Sequence, residues 1–254
     1  MKILNWPVRV SYGTYCWLAF LVLTLVSLTA MLVVPGLDRR RRIARVTARS
    51  VFFAWGVRLS AVGIERLPSG RCVVVANHAS YLDGLVLTAT LPARFAFVIK
   101  KEMDRVPLAN LLLRRIGSEF VDRHDRHKGA MDARRMLRRA SEGQALVFFP
   151  EGTFSKVPGL LRFHTGAFAT AVRAQCAVVP AAIRGTRTVL ASNRFIPTPA
   201  RVEIEVLAIL MPQPEHPEAA AQLRDRARSL MLEQLGEPDL DGELSRTHAR
   251  QAAH

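Results

Sequence analysis

Residues 71–84 read RCVVVANHASYLDG. Cys72 to Ala76 is a short run of small and β-branched apolar residues, the composition of a strand buried on both faces of a sheet. Polar residues interrupt it, and a helical pattern takes over from Gly84 to Thr90. Strand, polar loop and helix in that order point to an open α/β sheet, whose active sites gather at the carboxyl ends of strands. The loop holds Asn77, His78 and Asp83. A histidine, with an unperturbed pKa of about 6.5, accepts a proton at neutral pH. To act as a base it needs a partner that fixes its tautomer and stabilises the imidazolium. Asp83, five residues on, can curl back through a turn and hold the second ring nitrogen. The plainer reading makes Asp83 the N-cap of the next helix and His78 an ordinary strand-end residue. The spacing alone leaves both open.

Outward from this stretch, β-branched runs alternate with helical patterns. Strands are expected at 72–76, 95–99, 118–121, 145–149, 178–183 and 202–209, with helices at 84–90, 108–116, 128–141 and 166–174. The alternation predicts an α/β fold with a mostly parallel central sheet flanked by helices. Pro212, Pro214 and Pro217 break the chain before a last helix at 218–235, striped by Leu223, Ala227, Leu230, Met231 and Leu235. The polar tail from Gly236 is expected to be loose.

The 254 residues carry 36 Lys and Arg against 21 Asp and Glu, a net charge of +15, so the chain favours polyanionic partners. From Tyr15 to Pro35 it reads YCWLAFLVLTLVSLTAMLVVP, without a charge. At about 1.5 Å per residue, 20 such residues match a hydrocarbon core of roughly 30 Å. The run exceeds a signal-peptide h-region and is followed by Arg39, Arg40, Arg41, Arg42, Arg45 and Arg49. A retained N-terminal membrane helix is therefore expected, with the remainder on the cytoplasmic side. The arginines would lie at headgroup height against anionic lipid, which accounts for much of the charge without nucleic acid. A second apolar stretch, 51–64, is too short to span. It reads equally as a core element or as an interfacial segment with Phe52, Phe53 and Trp55 in lipid. Three parts follow: an anchor with its interfacial segment at 1–64, a catalytic domain at 65–212, and a helix with tail at 213–254.

A second chemical segment, FFPEGTFS at 148–155, also leaves a strand. Gly152 lets a ligand approach the backbone, while Glu151 and Thr153 supply polar contacts. Strand ends at Arg123 and Arg184 add guanidinium forks suited to phosphate, and Lys100 and Lys101 follow another strand. Cys16, Cys72 and Cys176 match neither a disulfide framework nor a zinc spacing. G-x-S-x-G, Walker A and G-x-G-x-x-G are absent, so no nucleophile elbow or nucleotide loop is expected. His124 and His127 with Asp122 and Asp125 read as a charged loop rather than a metal site. A base, an orienting carboxylate and a phosphate pocket suit direct group transfer to a hydroxyl.

Four segments in order resemble the glycerolipid acyltransferase family, whose members include lysophosphatidic acid acyltransferases. They are Asn77-His78 to Asp83 (N-H-x-x-x-x-D), GSEFVDR at 117–123, FPEGTFS at 149–155 and VPAAIRGT at 179–186. The resemblance implies that His78 takes the proton from an acceptor hydroxyl attacking an acyl thioester, with Asp83 orienting it. The thioester, on coenzyme A or acyl carrier protein, is a co-substrate; no cofactor or metal is implied. Glu151, Gly152 and Thr153 would help to place the acceptor, with Arg123 and Arg184 near its phosphate. Two positions depart from the family pattern. Phe154 stands where it carries arginine, and His164 where many members have lysine. The expected acceptor is 1-acyl-glycerol-3-phosphate or another lyso-lipid. A different class of reading is an inactive basic protein of the membrane surface.

Overall fold

The computed structural model describes residues 6–122, 126–153, 155, 157–191, 193–213 and 216–241. Among them one sheet forms from β1 (Arg58–Val62), β2 (Cys72–Ala76), β3 (Phe95–Lys100), β4 (Glu119–Val121), β5 (Ala145–Phe148), β6 (Ala177–Arg184) and β7 (Arg201–Val206). The strand order is β1-β7-β6-β2-β5-β3-β4, and every neighbouring pair is parallel except β6 with β7. The expected α/β class and mostly parallel sheet are what the chain adopts. The helices are α1 (Trp6–Val33), α2 (Leu37–Ala54), α3 (Asp83–Thr90), α4 (Pro107–Arg115), α5 (Arg126–Ser141), α6 (Gly166–Arg173), α7 (Thr186–Val189) and α8 (Ala219–Leu235).

Alternation along β2 builds both faces of the core. Val74 and Ala76 pack with Phe52 of α2 and Leu87 of α3, whereas Val73 and Val75 join Phe168 of α6 and Ala227 and Met231 of α8. Pro180 sits inside β6, a position that normally needs a backbone donor. A bulge in the partner resolves this. Ala181 faces Val206 and Val178 faces Leu210, so the partner strand carries one extra residue between the two pairs.

The stretch at 51–64 divides three ways. Its start ends α2, Trp55 and Gly56 make a turn, and Arg58–Val62 becomes edge strand β1. Phe52 and Trp55 are buried, so of the two readings the core one holds for them and the lipid one does not; Phe53 is 88% exposed. The sheet thus begins within the segment assigned to the anchor. The last helix, α8, packs into the core through Leu223, Ala227 and Met231 of its expected stripe.

The arginines after α1 have other work than lipid binding. Arg41, Arg45 and Arg49 recur every four residues on one face of α2. Arg41 Nε donates to the Ile116 carbonyl at 2.8 Å and Nη1 to that of Arg94 at 2.9 Å. Arg45 and Arg49 donate to the Ala89 and Thr90 carbonyls that end α3, the negative pole of that helix. Arg40 Nε likewise donates to the Val34 carbonyl at 3.0 Å, which leaves Arg39 and Arg42 of the cluster without such a bond among the described residues.

Candidate active site

Because β2 lies between β5 and β6, the loop leaving its carboxyl end is flanked by both neighbouring strand ends. Asn77 fastens one side. Its Nδ2 donates to the Ile183 carbonyl at 2.9 Å, and its Oδ1 accepts the Ile183 N–H at 2.7 Å. Ser80 fastens the loop again through Oγ to the Leu190 carbonyl, at 2.7 Å.

Asp83 is fully buried, and one oxygen does all its bonding. Oδ2 accepts the Ala79 N–H at 2.6 Å and the Ser80 N–H at 2.8 Å, and lies 2.8 Å from His78 Nδ1. The N-cap of α3 is Leu82, not Asp83, so the plainer sequence reading does not hold. The carboxylate instead folds the loop back and holds the imidazole, as an orienting partner must. Phe149 stacks on the imidazole with centroids 4.3 Å apart and planes at 21°, which fixes the ring's plane.

Glu151 reaches the same histidine from behind. Its Oε1 accepts the His78 N–H at 2.6 Å and its Oε2 the Leu161 N–H at 2.9 Å. The side chain is buried, and burial pushes its carboxyl up to about 8 despite those two donors. The upward shift weakens Glu151 as a negative charge beside His78. Gly152 turns the chain with φ of 75°, and Thr153 is exposed beside it.

Arg184 points elsewhere. Its Nη2 pairs with Glu203 at 3.1 Å and Glu205 at 2.9 Å, and Nη1 donates to the Gln234 carbonyl of α8. Arg123, Phe154, His124 and Asp125 lie outside the described residues. Lys101 pairs with Asp122 at 3.6 Å. No cluster of three or more His, Cys, Asp or Glu able to hold a metal occurs among the described residues.

The segment after α8 was expected to be loose, but to Asp241 it is bound to this site. Leu160 N–H donates to the Pro238 carbonyl at 2.9 Å, and Leu240 N–H returns to the Leu160 carbonyl at 3.1 Å. Arg228 holds the Leu160 and Leu161 carbonyls at 3.0 and 3.1 Å and pairs with Asp239. The arm thereby pins the residue whose N–H supports Glu151.

A model of the acyltransferase family matches residues 58–184, the span from the start of β1 to the end of β6. The chain belongs to the acyltransferase family. Human 1-acyl-sn-glycerol-3-phosphate acyltransferase beta is 31% identical over 197 residues, covering 76% of this chain and 70% of the relative. The bovine alpha enzyme of the same name is 28% identical, covering 89% and 79%. The solved 1-acyl-sn-glycerophosphate acyltransferase of Thermotoga maritima superposes with a TM-score of 0.74 at 20% identity, covering 88% of this chain and 92% of that one. This family member is an acyltransferase with the fold of that enzyme.

Proposed function

We propose that the enzyme transfers a fatty acyl group from an acyl thioester to the free hydroxyl of a lysophospholipid, 1-acyl-glycerol-3-phosphate first among them, as a step of phospholipid synthesis. The relatives' names support the acceptor class. The observation that carries the mechanism is the hold on His78: Asp83 on Nδ1, Glu151 on its main-chain N–H and Phe149 on its face. With Nδ1–H donated to Asp83, Nε2 is the nitrogen that takes the acceptor proton. The acceptor oxygen attacks the thioester carbonyl, the tetrahedral adduct collapses, and the thiolate leaves with the proton returned by the imidazolium. The products are an ester and a free thiol, with no acyl-enzyme. Phe154, standing at the family's arginine position, favours a second reading with the same chemistry on another lyso-lipid. Purified, detergent-solubilised protein should esterify lysophosphatidic acid from labelled acyl-CoA or acyl carrier protein with release of thiol. Product solely on a different lyso-lipid would shift the acceptor; no product from either donor across a panel of lyso-lipids would sink the proposal.

Membrane association is supported by α1, whose mean hydropathy reaches 2.4 over an 18-residue window. The catalytic body grips this helix along its length. Trp55 Nε1 donates to the Cys16 carbonyl at 2.8 Å, Trp17 Nε1 to the Phe195 carbonyl at 2.6 Å, and Met31 is buried with Ala44 and Ile116. From Tyr12, whose hydroxyl donates to the Trp55 carbonyl, to Met31 that grip extends over about 28 Å. A perpendicular α1 would pull the catalytic body through the hydrocarbon layer, where irregular polar backbone is not tolerated. We therefore infer that α1 lies in one leaflet, with the catalytic body on the cytoplasmic face. Tags at the two termini should then both be digested by protease added to sealed inside-out membrane vesicles, which expose that face. An N-terminal tag protected until the bilayer is breached would establish a span instead.

A further inference from the structure

The acceptor proposed above carries a phosphate, and the question is which cation receives it. Arg184 is engaged by Glu203, Glu205 and the Gln234 carbonyl, and Arg228 by two carbonyls and Asp239. Arg187, on α7 just beyond β6, differs. Its side chain is 19% exposed, and its Nη1 pairs with Glu237 Oε1 at 2.8 Å. Its Nε is buried without a partner among the described residues, and so is the hydroxyl of the preceding Thr186. An unpartnered buried donor is costly in a folded chain, and a site that binds an anion is one explanation for keeping it.

Glu237 ties this pair to the catalytic network. Its Oε2 accepts the Gly159 N–H at 2.8 Å, two residues before Leu161. The Leu161 N–H holds Glu151, and Glu151 holds His78. Glu237 is also near enough for its charge to add to the upward push on the Glu151 carboxyl. We propose that Arg187 receives the phosphate of the acceptor and that Glu237 is a resident anion which the phosphate displaces. The proposal rests on the phosphorylated-acceptor reading of the same site. A phosphate dianion brings more charge and three oxygens, so it can satisfy an edge of the guanidinium that Glu237 leaves bare. Glu237, once displaced, keeps its bond to Gly159.

The test is calorimetric titration of sn-glycerol 3-phosphate and inorganic phosphate into full-length, detergent-solubilised protein, with glycerol as the uncharged control. Arg187→Ala should weaken phosphate binding by about 10- to 100-fold. Arg187→Lys should recover part of the loss, since an ammonium keeps the charge without the fork. Glu237→Gln should move the other way and tighten binding by about fivefold, because it removes the competing charge. A purely structural ion pair predicts no such opposition. Wild-type protein that binds neither ligand, or affinities that stay put or move together in Arg187→Lys and Glu237→Gln, would overturn the proposal. Those two variants keep the test decisive if Arg187→Ala does not fold. Acyl transfer separates the two ideas. Opposite binding shifts in a protein that transfers no acyl group would retain the phosphate site and reject the reaction. Turnover of lysophosphatidic acid with a KM unmoved by either variant would do the reverse.

Discussion

His78→Ala is expected to lower kcat by about 10²- to 10⁴-fold, the usual worth of a positioned general base. The fold should survive. The His78 side chain is about one-fifth exposed, and the loop's anchors are main-chain and neighbouring groups: Asn77 to Ile183, Ser80 to Leu190, and Asp83 to the Ala79 and Ser80 N–H groups. Glu151 bonds the His78 main chain, so that contact persists in alanine. Thermal midpoint and circular dichroism should therefore match the wild type while turnover collapses. A His78→Ala enzyme with undiminished kcat would remove the imidazole from the mechanism.

Asp83→Asn is the second large effect, and the geometry makes it a clean probe of charge. Oδ2 carries all three bonds, while Oδ1 is buried with no partner among the described residues. An asparagine oxygen will take the Oδ2 position, since the amide nitrogen there would face two N–H donors. The Nδ2 then occupies the bare Oδ1 position, and the imidazole keeps its tautomer. What disappears is the negative charge that stabilises the imidazolium, so kcat should fall by about 10²-fold at little change in KM for either substrate. Some stability is lost as well, since a buried amide N–H₂ gains no acceptor. A measured kcat within a few-fold of wild type would show that Asp83 is a loop-folding residue and nothing more.

How far the sequence could be read follows from the range of the interactions. The β2 run and the helix after it are local patterns, so the strand, the loop and its position at a sheet edge were all legible. His78 and Asp83 are five residues apart, within reach of one turn. The mixed orientation of β7 was not legible, because nothing local distinguishes it from a parallel strand. Edge strand β1 escaped notice inside an apolar run whose residues belong to three different elements. Asn77 with Ile183 and Arg187 with Glu237 join residues 106 and 50 positions apart, and no spacing rule reaches that distance. Arg184 misled for the opposite reason. A strand-end arginine reads as a ligand group until β7 places Glu203 and Glu205 against it.

The grip of Trp55 on α1 bears on how the enzyme can be prepared. Cutting the chain after residue 35 to obtain a water-soluble fragment would strip the Cys16 carbonyl from a fully buried indole and bare Phe52 beside it. The fragment would gain a greasy wound in place of a greasy helix. Recolouring the outward face of α1 at Leu18, Leu21, Val22 and Leu25 with glutamate and lysine leaves the inward seam intact. That redesign, rather than truncation, is the route to an enzyme that can be studied without detergent.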